Sequence, residues 1–240
     1  MKKNKYHVIG VMSGTSLDGI DLAELQFEKK ENGRWYFEIL KTITVGYPPT
    51  WKKALQDAFY YSEEKMQLFN EKYTQYLADV ILKFIKNNDL NNIDAVCSHG
   101  HTIWHQPKKG ITLQIGNLPS LAKKIKQKVV CNFRVQDVQL GGNGAPLVPI
   151  GDRLLFEKFD YCLNLGGFAN VSFEDQKKNR IAFDVCPVNI VMNHFAELLG
   201  KEYDDGGRIA ASGKLNKVIL SKLNSLEYYF KSAPKSLGME

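Results

Sequence analysis

The sequence predicts an α/β protein built as two similar lobes, the second shorter than the first. Two stretches carry that reading. "VIGVMSGTSLDGIDLAELQF" (8–27) and "YCLNLGGFANVSF" (161–173) each run from an apolar segment through a glycine loop with polar side chains into a second apolar segment. In both places a third strand-like run and then a helical pattern follow. Chance likeness is the alternative to duplication, because little residue identity accompanies the shared order. A third observation divides the chain. "GGNGAPLVP" (141–149) holds three glycines and two prolines in nine residues, cannot continue regular structure, and marks a boundary or a site loop. Lobes of 1–145 and 146–240 follow.

The first lobe opens with strands at 6–12 and 19–27 and a third, roughly alternating, at 34–45. Ser62 is placed to cap a helix whose first turn holds Glu63 and Glu64. Met66, Phe69, Tyr73, Leu77, Val80, Ile81 and Phe84 then recur at spacings of three and four, an apolar stripe that belongs to a core. "IDAVCSHG" (93–100) reads as a short strand entering a glycine turn. A strand at 111–116, a helix at 118–128 and a strand at 129–133 complete the lobe. The second lobe offers strands in 161–175 and 180–187, a helix at 188–199 and further helical stretches. A three-strand sheet leaves an open edge, so the second lobe reads as incomplete.

Composition narrows the function. The chain has 240 residues, 44% hydrophobic and 24% charged, as ordinary globular proteins do. Its net charge of +6 is spread along the chain without an aromatic-plus-arginine stripe, which argues against nucleic acid as a partner. Cys97, Cys131, Cys162 and Cys186 lie far apart with no C-x-x-C pair, so neither a disulfide framework nor a zinc site is expected. The apolar run after the basic start is too short for a signal peptide, and no stretch approaches the ~20 apolar residues that span a bilayer. A cytoplasmic protein without a membrane partner is expected.

Four places carry chemistry. The loop Ser13-Gly14-Thr15-Ser16-Leu17-Asp18-Gly19 is longer than a hairpin needs and offers hydroxyls, a carboxylate and backbone N–H groups, a set that can wrap a phosphate; a decorated surface turn is the plain alternative. Asp184, near the carboxyl end of an apolar strand, is placed either as a general base or as an N-cap for the helix near Val188. "SHGHTIWHQP" sets His99, His101 and His105 close together, either as metal ligands or as the polar wall of a sugar pocket with Trp104 as a stacking surface. Arg134 and Asp137 precede the glycine loop, where Arg134 would grip a carboxylate or phosphate, or form a surface ion pair. "YDDGGRIAASGK" (203–214) reads as a cap motif leading into a helix.

Taken in order, "IGVMSGTSLDGIDLA", "SHGHTIWH", "NFRVQDVQLGGNGAPLVP", "LNLGGFANVSF", "AFDVCPVN", "DDGGRIAASG" and "PKSLG" resemble the anhydro-N-acetylmuramic acid kinase family over essentially the whole chain. That family belongs to the sugar kinase, Hsp70 and actin superfamily, so the resemblance implies two ribonuclease-H-like lobes, the second incomplete. It implies ATP and magnesium as cofactors. It also implies a small-molecule sugar substrate, 1,6-anhydro-N-acetylmuramic acid, opened with water and phosphorylated to N-acetylmuramic acid 6-phosphate in cell-wall recycling. A homodimer is an allowed assembly.

By the same resemblance, Ser13 to Gly19 form the first ATP phosphate loop, and Gly166 and Gly167 the second. Asp184 is the catalytic acid, which deprotonates the attacking water. Asp18 stands nearest the magnesium. His99, Thr102, Arg134 and the loop Gly142, Asn143, Gly144, Ala145 and Pro146 shape the sugar site. The chain departs from the family pattern where Asp184-Val185-Cys186-Pro187-Val188-Asn189 replaces Asp-Thr-Gly-Pro-Gly-Asn. Gly142-Asn143-Gly144 likewise replaces Gly-Gln-Gly, and His101 stands where glutamine is common. Family members continue past "PKSLG" with the rest of the second lobe, so a fragment is expected. The competing expectations are a superfamily kinase for another sugar and a truncated, non-catalytic sugar-binding protein.

Overall fold

A computed structural model describes residues 3–14, 17–106, 109–233 and 235–237. The expected ligand residues Thr15 and Ser16 lie outside the described residues. The chain divides between Leu147 and Val148 into two compact units.

The first unit is a mixed sheet with helices. Strands β1 (Lys5–Ser13), β2 (Gly19–Lys29) and β3 (Trp35–Gly46) form an antiparallel meander. Helices α1 (Pro49–Asp57) and α2 (Glu63–Asn87) then carry the chain to β4 (Ala95–Gln106), which lies parallel to β1. A return is made by β5 (Ile111–Ile115), and the sheet order is β3-β2-β1-β4-β5. Helix α3 (Ser120–Ile125), the short β6 (Val129–Val130) beside β4, and α4 (Phe133–Gln139) complete the unit.

The apolar stripe of α2 forms the core. Tyr73, Leu77 and Ile81 are fully covered and pack with Ile9, Val11, Ile20, Leu22, Val96, Ile115 and Leu121. Each such side chain contributes roughly 1.5–3 kcal/mol relative to an exposed position. Ser62 caps α2 as its position predicts, its hydroxyl accepting the Lys65 N–H at 3.3 Å.

Three boundaries differ from expectation. The strand at 93–100 does not stop at Gly100; β4 runs on to Gln106. Gly100 sits at φ +73°, and a Cβ there would lie 2.6 Å from Asn117 Nδ2 and 2.7 Å from the Ile115 carbonyl. Glycine therefore serves as the joint at which β4 exchanges its pairing with β6 for pairing with β5. The expected helix at 118–128 narrows to Ser120–Ile125, ended by Lys126 in the left-handed region at φ +53°. The expected strand at 129–133 keeps two residues, because Asn132 at φ +62° turns the chain into α4.

The second unit opens with α5 (Val148–Leu155) and places β7 (Tyr161–Leu165), β8 (Phe168–Glu174) and β9 (Arg180–Pro187) in an antiparallel sheet in that order. Helices α6 (Asn189–Leu198), α7 (Arg208–Ser212) and α8 (Lys217–Asn224) follow. Asp204 caps α7, its two carboxylate oxygens accepting the N–H groups of Ile209 and Ala210. Among the described residues, the buried apolar side chains of this unit are those of Ala169 and Ala196. No helix among the described residues is long and apolar enough to cross a membrane.

Candidate active site

The first glycine loop is anchored from below. β1 ends at Ser13 and β2 begins at Gly19, where any Cβ would lie 2.6 Å from the Val45 carbonyl. Leu17 takes φ +59°, its N–H reaches the Gly14 carbonyl, and its side chain packs against the core. Asp18 Oδ1 accepts the N–H of Gly19 at 2.9 Å.

Ser13 points inward. Its hydroxyl meets Tyr47 Oη at 2.6 Å, His101 Nδ1 at 2.8 Å and Tyr73 Oη at 3.0 Å, and the two tyrosine hydroxyls also meet. Four contacts need four protons, and three hydroxyls supply three. His101 Nδ1–H must supply the fourth, so Ser13 Oγ accepts from it and the imidazole carries its proton on Nδ1. Burial, and secondarily His99, push the His101 pKa down to about 4, so the ring is neutral at pH 7. Burial raises the Tyr47 pKa, and the Asp18 charge adds to it in a smaller way. The network is closed upon itself, and Ser13 has no hydroxyl proton left for a ligand.

Beside it, Arg134 on α4 donates from Nε to His99 Nε2 at 2.8 Å and from a terminal nitrogen to the Gly144 carbonyl at 2.9 Å. His99 must therefore accept at Nε2 and donate Nδ1–H to the Gly100 carbonyl. Burial and then the Arg134 charge keep His99 below its ordinary range. Asp137 accepts the Gly144 N–H at 2.6 Å, and its own carbonyl accepts the Gly142 N–H. Arg134 and Asp137 thus clasp the loop 141–146, including the cis Ala145–Pro146 bond, onto α4. Neither a surface ion pair nor a free guanidinium describes Arg134. Thr102 stands opposite Gln114 across β4 and β5. Gln114 donates to Thr112 Oγ1 at 2.8 Å, while its Oε1 is buried with no partner among the described residues. Trp104 donates its indole N–H to the Phe59 carbonyl and packs against the core, which leaves it a packing side chain. His105 pairs with Thr112, so the three histidines have separate partners, and no group of three His, Cys, Asp or Glu converges among the described residues.

In the second unit, the turn Gly166–Gly167 joins β7 to β8. Its carbonyls accept the N–H groups of Val188, Asn189 and Ile190 at the start of α6, and Asn189 Nδ2 donates to the Leu165 carbonyl. Asp184 stands on β9 opposite Asn170, next to a bulge that leaves Val185 unpaired. Bulges re-aim side chains beside sites. Val188 is the cap residue of α6 and no side chain caps that helix, so Asp184 is not its N-cap. Instead Asp184 Oδ2 accepts the Leu237 N–H at 2.8 Å, and its backbone bonds Lys235 and the Tyr228 hydroxyl. The structure therefore groups Ser13, Leu17, Asp18 and Gly19 in one loop, and His99, Arg134 and Gly142 to Pro146 in one clasp. Tyr47 and Tyr73 were not singled out by sequence because one sits past a strand and the other reads as core.

The family model described as Anhydro-N-acetylmuramic acid kinase matches residues 6–240. The chain belongs to the anhydro-N-acetylmuramic acid kinase family. Relatives bearing that name include the Haemophilus influenzae protein, 32% identical over 99% of this chain and 63% of its own length. The Pseudomonas fluorescens protein is 35% identical over 97% of this chain and 65% of its own. The Bacillus cereus protein is 34% identical over 98% and 65%. The chain spans about two thirds of the length of these kinase-family relatives.

Proposed function

We propose that this chain carries the ATP-dependent, water-consuming conversion of 1,6-anhydro-N-acetylmuramic acid to N-acetylmuramic acid 6-phosphate, in the cytoplasm, as a step of cell-wall sugar recycling. The reading gives it two ribonuclease-H-like lobes, 1–145 and a partial 146–240. The strand order β3-β2-β1-β4 with β1 and β4 parallel supports this for the first. The observation that carries the function is the family match over residues 6–240.

In this reading Asp184 accepts a proton from a water as that water bonds to the anomeric carbon. The bond between the anomeric carbon and the 6-oxygen breaks, and the freed 6-oxygen bonds to the γ-phosphorus as the bond to the ADP oxygen breaks. The loop Ser13 to Gly19 and the turn Gly166–Gly167 contact the phosphates, Ser13 through its backbone because its hydroxyl is engaged inward. Asp18 would stand nearest a magnesium ion, which would supply charge neutralisation at the phosphates; such an ion needs one or two carboxylates rather than a protein cage. His99, Thr102, Arg134 and the clasped loop form the sugar wall.

The test is a mass-spectrometric assay of the 240-residue chain with the anhydro sugar and Mg-ATP in ¹⁸O-labelled water. Phosphorylated product with label on the anomeric oxygen is expected. Asp184→Asn should abolish it while keeping an oxygen for the Leu237 N–H. Product without label would point to an ordinary sugar kinase, and sugar binding without product to a binding protein.

A further inference from the structure

β3 is the outermost strand of the first unit's sheet, paired with β2 along one edge and, among the described residues, with no strand along the other. It is 12 residues long, and its Tyr36, Ile39 and Ile43 are 52%, 54% and 48% exposed. A long edge whose backbone groups are open, with apolar side chains along it, is a template for another strand.

A bulge decides which of its residues share a face. Lys41 stands opposite Glu24, Ile39 opposite Leu25 and Glu38 opposite Gln26, so Leu40 is the extra residue. Glu24 and Gln26, two apart on β2, share a face, and this puts Glu38 and Lys41 on one face although they are three apart. Tyr36 and Ile43, opposite Glu28 and Leu22, lie on that same face, whereas Phe37 and Thr42, opposite Phe27 and Ala23, lie on the other. Glu38 and Lys41 are exposed, and neither is in an ion pair among the described residues.

We infer that β3 is a dimer edge: two copies of this chain pair antiparallel through β3 about a two-fold axis at Ile39 and Leu40, with Glu38 of each copy opposite Lys41 of the other. Two-fold antiparallel pairing keeps each face on its own side, so opposed residues must come from the same face. This register meets that condition outside the bulge, setting Glu38 against Lys41, Phe37 against Thr42, Tyr36 against Ile43 and Trp35 against Thr44. Without the bulge, Glu38 and Lys41 would fall on opposite faces and could not be opposed. The pairing covers Tyr36 with Ile43 twice and forms two cross-strand pairs of opposite charge. A lysine and a bulge discourage a foreign strand on an edge. A second copy matches both, which makes it the occupant.

The experiment is sedimentation equilibrium of the full chain over a wide range of concentration, alongside Glu38→Lys, Lys41→Glu and the double swap. The parent should show a concentration-dependent dimer. Each single variant opposes like charges at both sites and should weaken dimerisation about tenfold or more. The double swap should restore the dimer. Mixing the two single variants should restore it too, because opposite charges then meet at both sites, and that recovery also shows that both variants fold. A parent that stays monomeric, as it would if another segment covered β3, would overturn the inference. So would a dimer that the single variants leave unchanged, or a loss that neither the swap nor mixing recovers. None of these readouts depends on the kinase reading.

Discussion

Ser13 Oγ and His101 Nδ1 lie 2.8 Å apart, the end of β1 bonded to the middle of β4 directly beneath the first glycine loop. The imidazole donates its Nδ1–H to that hydroxyl, and burial, with His99 in a smaller way, is what keeps the ring neutral and ties this place to pH. His101 is 3% exposed and its pKa is pushed to about 4, below the 6.5 of a free histidine. Below pH 6.5 the unfolded chain takes up a proton that the folded chain refuses, so stability present at pH 7 is lost as pH falls from 6.5 toward 4. The shift corresponds to about 3 kcal/mol over that window. Urea denaturation at pH 7, 5.5 and 4.5 should show that fall. His101→Gln should flatten it partly, because burial also depresses His99 and His105. An unchanged slope in His101→Gln would show that the ring is not held neutral.

Tyr73→Phe removes one hydroxyl from a closed ring of three and leaves Ser13 and Tyr47 each short of a partner in a buried place. The expected cost is about 1–3 kcal/mol, the range for an orphaned buried polar group. Tyr47→Phe should cost a similar amount. Because both variants break the same ring, the double variant should cost clearly less than the two single losses together. Additive losses in denaturant melts would mean that the hydroxyls act independently.

How much of this was visible in the sequence depends on whether the deciding contact is local. Ser62, Glu63 and the α2 stripe are local signals and predict the helix and its cap. The strand–loop–strand order likewise predicts β1–β2 and β7–β8. The length of β4 was not legible, because Gly100 reads as a turn until β5 is known to pair beyond it. The inward turn of Ser13 depends on Tyr47, Tyr73 and His101, 34, 60 and 88 residues away. Asn164 and Asn170 fall in strand-like stretches, and only the register sets them in one row with Asp184.

Arg134→Lys keeps the charge and loses the fork that bonds His99 and the Gly144 carbonyl together. The loop 141–146 then depends on Asp137 alone. Hydrogen exchange at Gly142 and Gly144 should speed up at least tenfold, with the melting temperature within a few degrees of the parent, since α4 has no buried residues. Binding of the anhydro sugar, followed by calorimetry, should weaken by a similar factor. Unaltered exchange at both glycines would show that the clasp is held by Asp137 without the arginine.

The two units should differ sharply in protection. In the first, Ile9, Ile20, Leu22, Tyr73, Leu77 and Ile81 are fully covered, each contributing roughly 1.5–3 kcal/mol. In the second, Leu163, Leu165, Phe195, Leu198 and Leu199 are exposed, and the buried apolar side chains among the described residues are two alanines. The strands β7–β9 therefore rest on backbone pairing, ring contacts of the half-buried Phe173 with Tyr161 and Phe183, and polar contacts such as Asp152–Ser172. A difference of only ~3 kcal/mol in opening free energy is roughly a hundredfold in exchange. Exchange measured by mass spectrometry on the full chain should find peptides of β1, β2 and α2 protected at least that much longer than those of β7–β9. Saturating Mg-ATP should then slow the peptides holding Asn164, Asn170 and Asp184, because a ligand that binds the folded form raises protection where opening would release it. Equal protection in the two units would mean that the second unit is stabilised by contacts other than its own apolar side chains.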